Sequence, residues 1–172
     1  MKLKVTQENL TKALGYVARV ANTRGTLPIL GNVLLKIEEN QLTVAATNLD
    51  IAINSHIGAQ VQSEGSLTVP AKLLQELVAG LPSGVIELEQ DEQRLKVNTD
   101  QYKSVINGVS AEEFPIMPAI EDGKTLTISA PILKSGLQQV LLAASNDESR
   151  PVLTGVMFLS VDGSLYIAST DS

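Results

Sequence analysis

The sequence predicts an α+β fold built from duplicated strand-helix-strands units, and three observations carry that prediction. First, Leu10 to Thr47 and Leu133 to Thr170 align without a gap at a constant offset of 123 residues. The identical pairs are Leu10/Leu133, Leu14/Leu137, Val17/Val140, Ala21/Ala144, Pro28/Pro151, Leu30/Leu153, Val33/Val156, Leu42/Leu165, Ala45/Ala168 and Thr47/Thr170. Second, the apolar period inside each copy changes from helical to strand-like, so each copy is a mixed unit. Third, short helical stretches are outnumbered by alternating ones, as in antiparallel sheets carrying few helices. Solenoids and propellers repeat every ~20–50 residues, so the longer spacing here points to duplicated domains. The reading is one whole domain, residues 1–118, and a partial second one, residues 119–172, whose copy is cut short at Ser172.

Lys2 to Thr6 alternates with period two and predicts a strand. Gln7 to Ala21 places Leu10, Leu14, Val17 and Ala21 on one helical stripe. Asn22 to Pro28 is a loop, and Ile29 to Ile37 and Leu42 to Thr47 form a hairpin across Glu38-Glu39-Asn40-Gln41. Ile51 to Gln60 and Ser66 to Val69 are two more strands. Pro70 opens a second helix where its missing N–H costs least; Leu73, Leu74, Leu77 and Val78 are its buried face and Gly80 marks its end. Val85 to Glu89, Arg94 to Asn98 and Tyr102 to Val109 alternate again. The first 110 residues thus hold a half-domain unit used twice. Phe114-Pro115-Ile116-Met117-Pro118 reads as a linker, its prolines unsuited to helix or ladder. Beyond it come a strand at Leu126 to Ile128, an N-cap at Ser129, a helix from Ile132 to Ala144, and a hairpin of Val156 to Val161 with Leu165 to Ala168 around Asp162-Gly163.

Composition narrows the function. Hydrophobic residues make up 44% and aromatics only 3%, with no Trp, so the core must interdigitate Leu, Val, Ile and Ala. The absence of Cys excludes disulfides, thiolate metal sites and a Cys nucleophile, and fits a reducing compartment. No signal-peptide core and no ~18-residue apolar run is present, which reads as a soluble, cytoplasmic protein with no membrane partner. His56 is the single histidine and sits in an alternating segment; no Ser/His/Asp set, His/Glu metal spacing or glycine-rich phosphate loop occurs. No cofactor, metal or catalytic residue is expected. Asp50, Asp91, Asp122 and Asp171 all lie near turns, where carboxylates are common for structural reasons.

The net charge of −6 argues at first against a nucleic-acid partner. Its distribution complicates that. Lys12 and Arg19 are seven residues apart, about 180° from the apolar stripe of a helix. The helical stretches 7–22, 70–80 and 130–145 hold Lys12, Arg19, Lys72 and Lys134 against Glu8 and Glu76, which leaves the rest strongly acidic. Mildly basic helices on an acidic body would accept a polyanion on one surface and repel it elsewhere; solubility alone also puts Lys and Arg on helix faces.

Thr26-Leu27-Pro28-Ile29-Leu30-Gly31-Asn32-Val33-Leu34-Leu35, Val69-Pro70-Ala71-Lys72-Leu73-Leu74 and Phe114-Pro115-Ile116-Met117-Pro118 together resemble the bacterial sliding clamp, the beta subunit of DNA polymerase III, in order and spacing. The resemblance implies a DNA-clamp fold: antiparallel sheets outside, helices lining an inner face, and two chains of three domains closing a homodimeric ring around double-stranded DNA. It implies no catalysis. The clamp tethers the replicative polymerase, the clamp loader and other clamp-motif proteins, and nucleotidyltransferase activity belongs to the holoenzyme. Carried over by position, Arg24 matches a DNA-contacting arginine, Lys12, Arg19 and Lys72 lie on inward-facing helices, and Arg150 is a weaker DNA candidate in the corresponding loop of the second copy. Leu153 and Thr170 match the wall of a peptide cleft, with Ser172 at its edge. Arg24 as a solvated loop residue and Leu153 and Thr170 as core positions remain the alternatives. The acidic residue usual after the Thr of the first copy is Asn48 here, while Asp171 keeps it in the second. The chain alone is expected neither to close a ring nor to bind clamp peptides well, and the Ile132 helix and Val156 to Ala168 hairpin to leave an apolar face exposed.

Two other readings compete: a non-catalytic protein-interaction module of duplicated α+β domains with no DNA role, and a hydrolase using Asp50 or Asp171, which lacks a base and a metal set.

Overall fold

The structure, a computed structural model, describes residues 1–21, 27–38, 40–116 and 125–172. Arg24, much of the loop after the first predicted helix, and Met117-Pro118 lie outside the described residues. The chain divides into two units, Met1–Ala119 and Ile120–Ser172.

In the first unit β1 (Lys2–Thr6) leads into α1 (Gln7–Val17), a 3-10 turn (Pro28–Gly31), β2 (Asn32–Glu38), β3 (Gln41–Thr47), β4 (Ala52–Gly58), β5 (Gln60–Ser63), β6 (Gly65–Pro70), α2 (Ala71–Gly80), β7 (Val85–Asp91), β8 (Arg94–Asn98) and β9 (Lys103–Asn107). The strands form two antiparallel sheets, ordered β5-β1-β7-β8-β9 and β4-β3-β2-β6. The duplication inside the unit shows in this order. β1-α1-β2-β3-β4 and β6-α2-β7-β8-β9 are equivalent halves, and each half lends its first strand to the other half's sheet: β1 pairs with β7, and β6 with β2. Neither half can leave without stripping a strand from the other, so the unit shares one core.

That core is aliphatic, as the composition requires. Leu3, Leu10, Leu14, Val17, Val33, Leu35, Leu42, Val44, Leu67, Leu74, Val78, Ile86, Leu88 and Leu95 are fully buried. Strand alternation puts the neighbours of these residues on the opposite sheet faces, where charges pair across strands. Lys2 Nζ lies 2.9 Å from Glu89 Oε2 and 3.4 Å from Glu87 Oε1, and Lys96 Nζ lies 2.9 Å from Asp91 Oδ2. Hydrogen bonding from Lys2 holds the Glu89 carboxyl below its ordinary range, and Lys96 does the same to Asp91. Depressed carboxylate pKa values give stability that is present above the ordinary carboxylate range and lost as pH falls through the depressed values. Lys96→Met is therefore expected to lower the urea midpoint slightly at pH 7, with the difference from wild type lost as pH falls through the depressed carboxylate range; a difference that persists once the carboxylates are protonated would show that the ion pair is not its source.

The second unit contains α3 (Ala130–Val140), 3-10 turns at Leu141–Ala143 and Pro151–Thr154, β10 (Met157–Val161) and β11 (Ser164–Ala168). β10 and β11 pair antiparallel. Their turn has positive φ at both Asp162 (49°) and Gly163 (77°), the geometry of a type I′ hairpin whose second position suits Gly. The 123-residue offset holds at element boundaries: it carries α1 onto α3 at both ends, the first Pro-led 3-10 turn onto the second, and the start of β3 onto that of β11.

Several expectations are corrected. The first helix ends at Val17 rather than Ala21, because Ala18 to Val20 turn back and lay Ala18, Val20 and Ala21 against the core. Pro28 starts a 3-10 turn, so that strand begins at Asn32 and not Ile29. Ile51 to Gln60 is not one strand: the chain breaks after Gly58 and β5 crosses to the other sheet to pair with β1. Phe114 is no linker residue; it is 6% exposed and follows a 3-10 turn at Ala111–Glu113 capped by Ser110. Tyr102 to Val109 shortens to β9. Leu126 to Ile128 is not a strand. Its counterpart in the first copy, within β1, pairs with β5 and β7, and the second unit has no counterpart of either among its described residues. Without a partner the backbone gains nothing from an extended ladder. The helix expected over Ile132 to Ala144 runs from Ala130 to Val140 and tightens into a 3-10 turn.

Candidate nucleic-acid interface

α1 forms where Thr6, extended at φ −75°, accepts a hydrogen bond from the Asn9 N–H at 3.4 Å and Glu8 sits in the positive first turn. Leu10, Ala13, Leu14 and Val17 bury one face. α2 begins directly from β6 at Pro70 and buries Ala71, Leu74 and Val78. The two helices pack side by side. Gln7 Nε2 at the start of α1 donates to the Val78 carbonyl near the end of α2, 3.0 Å away, so the pair runs antiparallel. Lys72 at the start of α2 thus lies toward the end of α1, where Tyr16 is found and, just beyond, Arg19.

The exposed face of this pair holds Glu8, Lys12, Tyr16, Lys72, Leu73 and Glu76. No ion pair among the described residues involves Lys12 or Arg19, while Lys72 Nζ is 3.9 Å from Glu76 Oε1, one turn along. Arg19, expected on the helix, sits in the turn after it and is exposed. The face is therefore cationic by a small margin, and Lys12 and Arg19, unpaired among the described residues, are placed to meet an anion. The structure brings Lys12, Lys72 and Arg19 to one side of the first unit. Arg24 is outside the described residues. Tyr16 was not singled out by sequence, although its spacing of four from Lys12 was a visible signal.

In the second unit Arg150 is partly neutralised, its Nε 3.8 Å from Asp147 Oδ2. Hydrogen bonds from Ser149 hold the Asp147 carboxyl below its ordinary range. Leu153 is half-buried in a 3-10 turn, its N–H bonded to the Arg150 carbonyl and its carbonyl to the Ser145 N–H. Thr170 and Ser172 are exposed; Thr170 Oγ1 donates to the Ser172 carbonyl at 2.8 Å. Their first-copy counterparts Leu30 and Thr47 are 3% and 5% exposed. Leu153 and Thr170 are thus positions that the first unit buries and the second leaves open. The same holds for Phe158, more than half exposed where its counterpart Leu35 is fully buried; Ile132 and Met157 are more than half exposed as well.

A groove of about 520 Å³ crosses the other face of the β4-β3-β2-β6 sheet, lined by Lys36, Asn54, His56, Phe114 and Ile116 among others. His56 Nδ1 and Thr43 Oγ1 are 2.9 Å apart, a hydrogen bond between directly opposed residues of β3 and β4. No group of three His, Asp or Glu side chains among the described residues is placed to hold a metal. No helix among them is long and apolar enough to cross a membrane.

Residues 1–118 match the family model of the DNA polymerase III beta subunit, N-terminal domain. The chain is 38% identical over 180 residues to the beta sliding clamp of Synechocystis sp., covering 99% of this chain and 46% of that protein. It is 31% identical over 171 residues to that of Streptomyces coelicolor, covering 99% and 45%. Among solved structures, the Bacillus subtilis sliding clamp aligns with a TM-score of 0.95 at 27% identity, over 99% of this chain and 47% of that one. The chain spans about half the length of the curated relatives it matches. On the family match and the shared fold together, the chain belongs to the DNA polymerase III beta subunit family.

Proposed function

We propose that this chain acts in a processivity factor of bacterial chromosomal replication: a non-catalytic, cytoplasmic scaffold, closed as a homodimeric ring in the full-length form, that encircles duplex DNA without reading its sequence. Residues 1–118 form the first clamp domain and residues 119–172 part of the second. The observation that carries this reading is the antiparallel α1/α2 pair, whose exposed face presents Lys12 and Lys72 with Arg19 beside them, backed by sheets whose charges are largely spent on each other. Such a face meets phosphates loosely and independently of sequence. Topology supplies the retention that affinity does not, and tight contacts would stop sliding. Arg24 and Arg150 extend the DNA-facing set, and Leu153, Thr170 and Ser172 contribute one side of a cleft for partner peptides from the replicative polymerase, the clamp loader and other clamp-motif proteins.

The test is charge reversal. Lys12→Glu with Lys72→Glu, in a chain of the relatives' length, is expected to cut retention on nicked circular DNA several-fold. The slope of log-affinity against log-salt should become shallower by roughly 0.9 for each phosphate no longer neutralised. Unchanged retention and slope would favour the interaction-module reading.

A further inference from the structure

We propose that Tyr16 is a neutral contact to the sugar–phosphate backbone, set between the charged contacts of Lys12 and Arg19; this rests on the DNA reading above. Tyr16 is 54% exposed, on the same side of α1 as Lys12 one turn earlier, and Arg19 follows three residues later. Because α2 runs antiparallel, Lys72 approaches this end of α1 as well. The ring therefore stands beside Lys12 and Arg19, which make no ion pair among the described residues, at the end of α1 that the start of α2 with Lys72 approaches.

The chemistry of a phenol fits that position better than another cation would. Its neutral hydroxyl is a hydrogen-bond donor and bonds a phosphate oxygen without carrying charge. The ring's apolar face lies against deoxyribose. A neutral donor binds without displacing a counterion, so it adds grip that salt does not weaken in proportion. Each step along the backbone offers an equivalent phosphate oxygen, so the bond can be exchanged as the protein moves and carries no sequence preference.

The experiment uses this chain with a 30-base-pair duplex at several salt concentrations. With 3-fluorotyrosine incorporated, the three tyrosines give three ¹⁹F resonances, assigned with Tyr102→Phe and Tyr166→Phe. DNA is expected to shift the Tyr16 signal and leave the other two in place. Tyr16→Ala is expected to weaken binding more than about fivefold, the worth of one hydrogen bond together with the ring's contact to deoxyribose, with an unchanged salt slope. Tyr16→Phe should lose part of that, whereas Lys12→Ala should make the slope shallower. If the lysine variants weaken binding but the Tyr16 resonance and the Tyr16 variants do not respond, the proposal is overturned and the DNA reading stands. If neither lysine nor tyrosine variants change binding, the DNA reading fails and the proposal with it.

Discussion

Leu14→Ala is expected to destabilise the first unit by about 2–5 kcal/mol, the range for a buried leucine truncated to alanine, while Leu137→Ala should cost under ~1 kcal/mol. The two leucines occupy the same position of the 123-residue repeat, in helices with matching ends. Leu14 is 0% exposed inside a cluster with Leu10, Val17, Leu74 and Val78, whereas Leu137 is only half-buried. A cavity forms only where neighbours surround the lost atoms on all sides. In the first unit α2, β4 and β6 close around α1, β2 and β3; the second unit holds no equivalents of them among its described residues. Urea denaturation with hydrogen exchange to locate each change measures both costs. Equal costs would mean that residue 137 is buried in solution by something beyond its own unit.

Gly108→Ala is expected to cost about 3 kcal/mol, at the upper end of the overpacking range, through a clash rather than a cavity. A Cβ at residue 108 would stand 2.4 Å from the Thr68 carbonyl oxygen and 3.1 Å from the Leu67 side chain. The obstacle is backbone that cannot yield. Thr68 exchanges hydrogen bonds with Val109 in both directions, at 3.0 and 2.9 Å; its hydroxyl also donates to the Val109 carbonyl and accepts from Asn32 Nδ2. Thr68 is fully buried, so any shift strands polar groups away from water. This short bridge joins the segment just after β9 to β6, and so ties the two sheets together. Gly58→Ala is the control, since a Cβ there meets nothing within 4 Å; it should change stability by less than about 0.5 kcal/mol. A Gly108→Ala protein as stable as wild type would show that the bridge is loose.

The candidate interface was legible in part. Lys12 and Lys72 could be placed on exposed helix faces because apolar periodicity locates a buried stripe and everything opposite it faces water. Arg19 was misplaced by the same logic, carried on after the helix had ended, since Val20 and Ala21 satisfy a helical stripe on paper yet reach the core from a turn. Tyr16 was not singled out because nothing in its local sequence beyond its spacing from Lys12 marks it; the role proposed for it depends on the cations near it, and the register between α1 and α2 is set by long-range packing.

Local pattern was enough for the repeat, most of the aliphatic core positions though not Leu73, which is exposed, the helix start at Gln7, and the Asp162-Gly163 hairpin, because each depends on residues a few positions apart. The exchange of β1 and β6 between halves, the crossing of β5, the burial of Phe114 and the absence of a strand at Leu126 to Ile128 were settled by partners distant in sequence. A strand exists only where another backbone completes its hydrogen bonds, and a side chain is buried only where other elements close over it. The two copies make the point within one chain: Leu42 is buried and Leu165 half-buried, Thr47 buried and Thr170 exposed, although each pair is the same residue at the same position of the repeat.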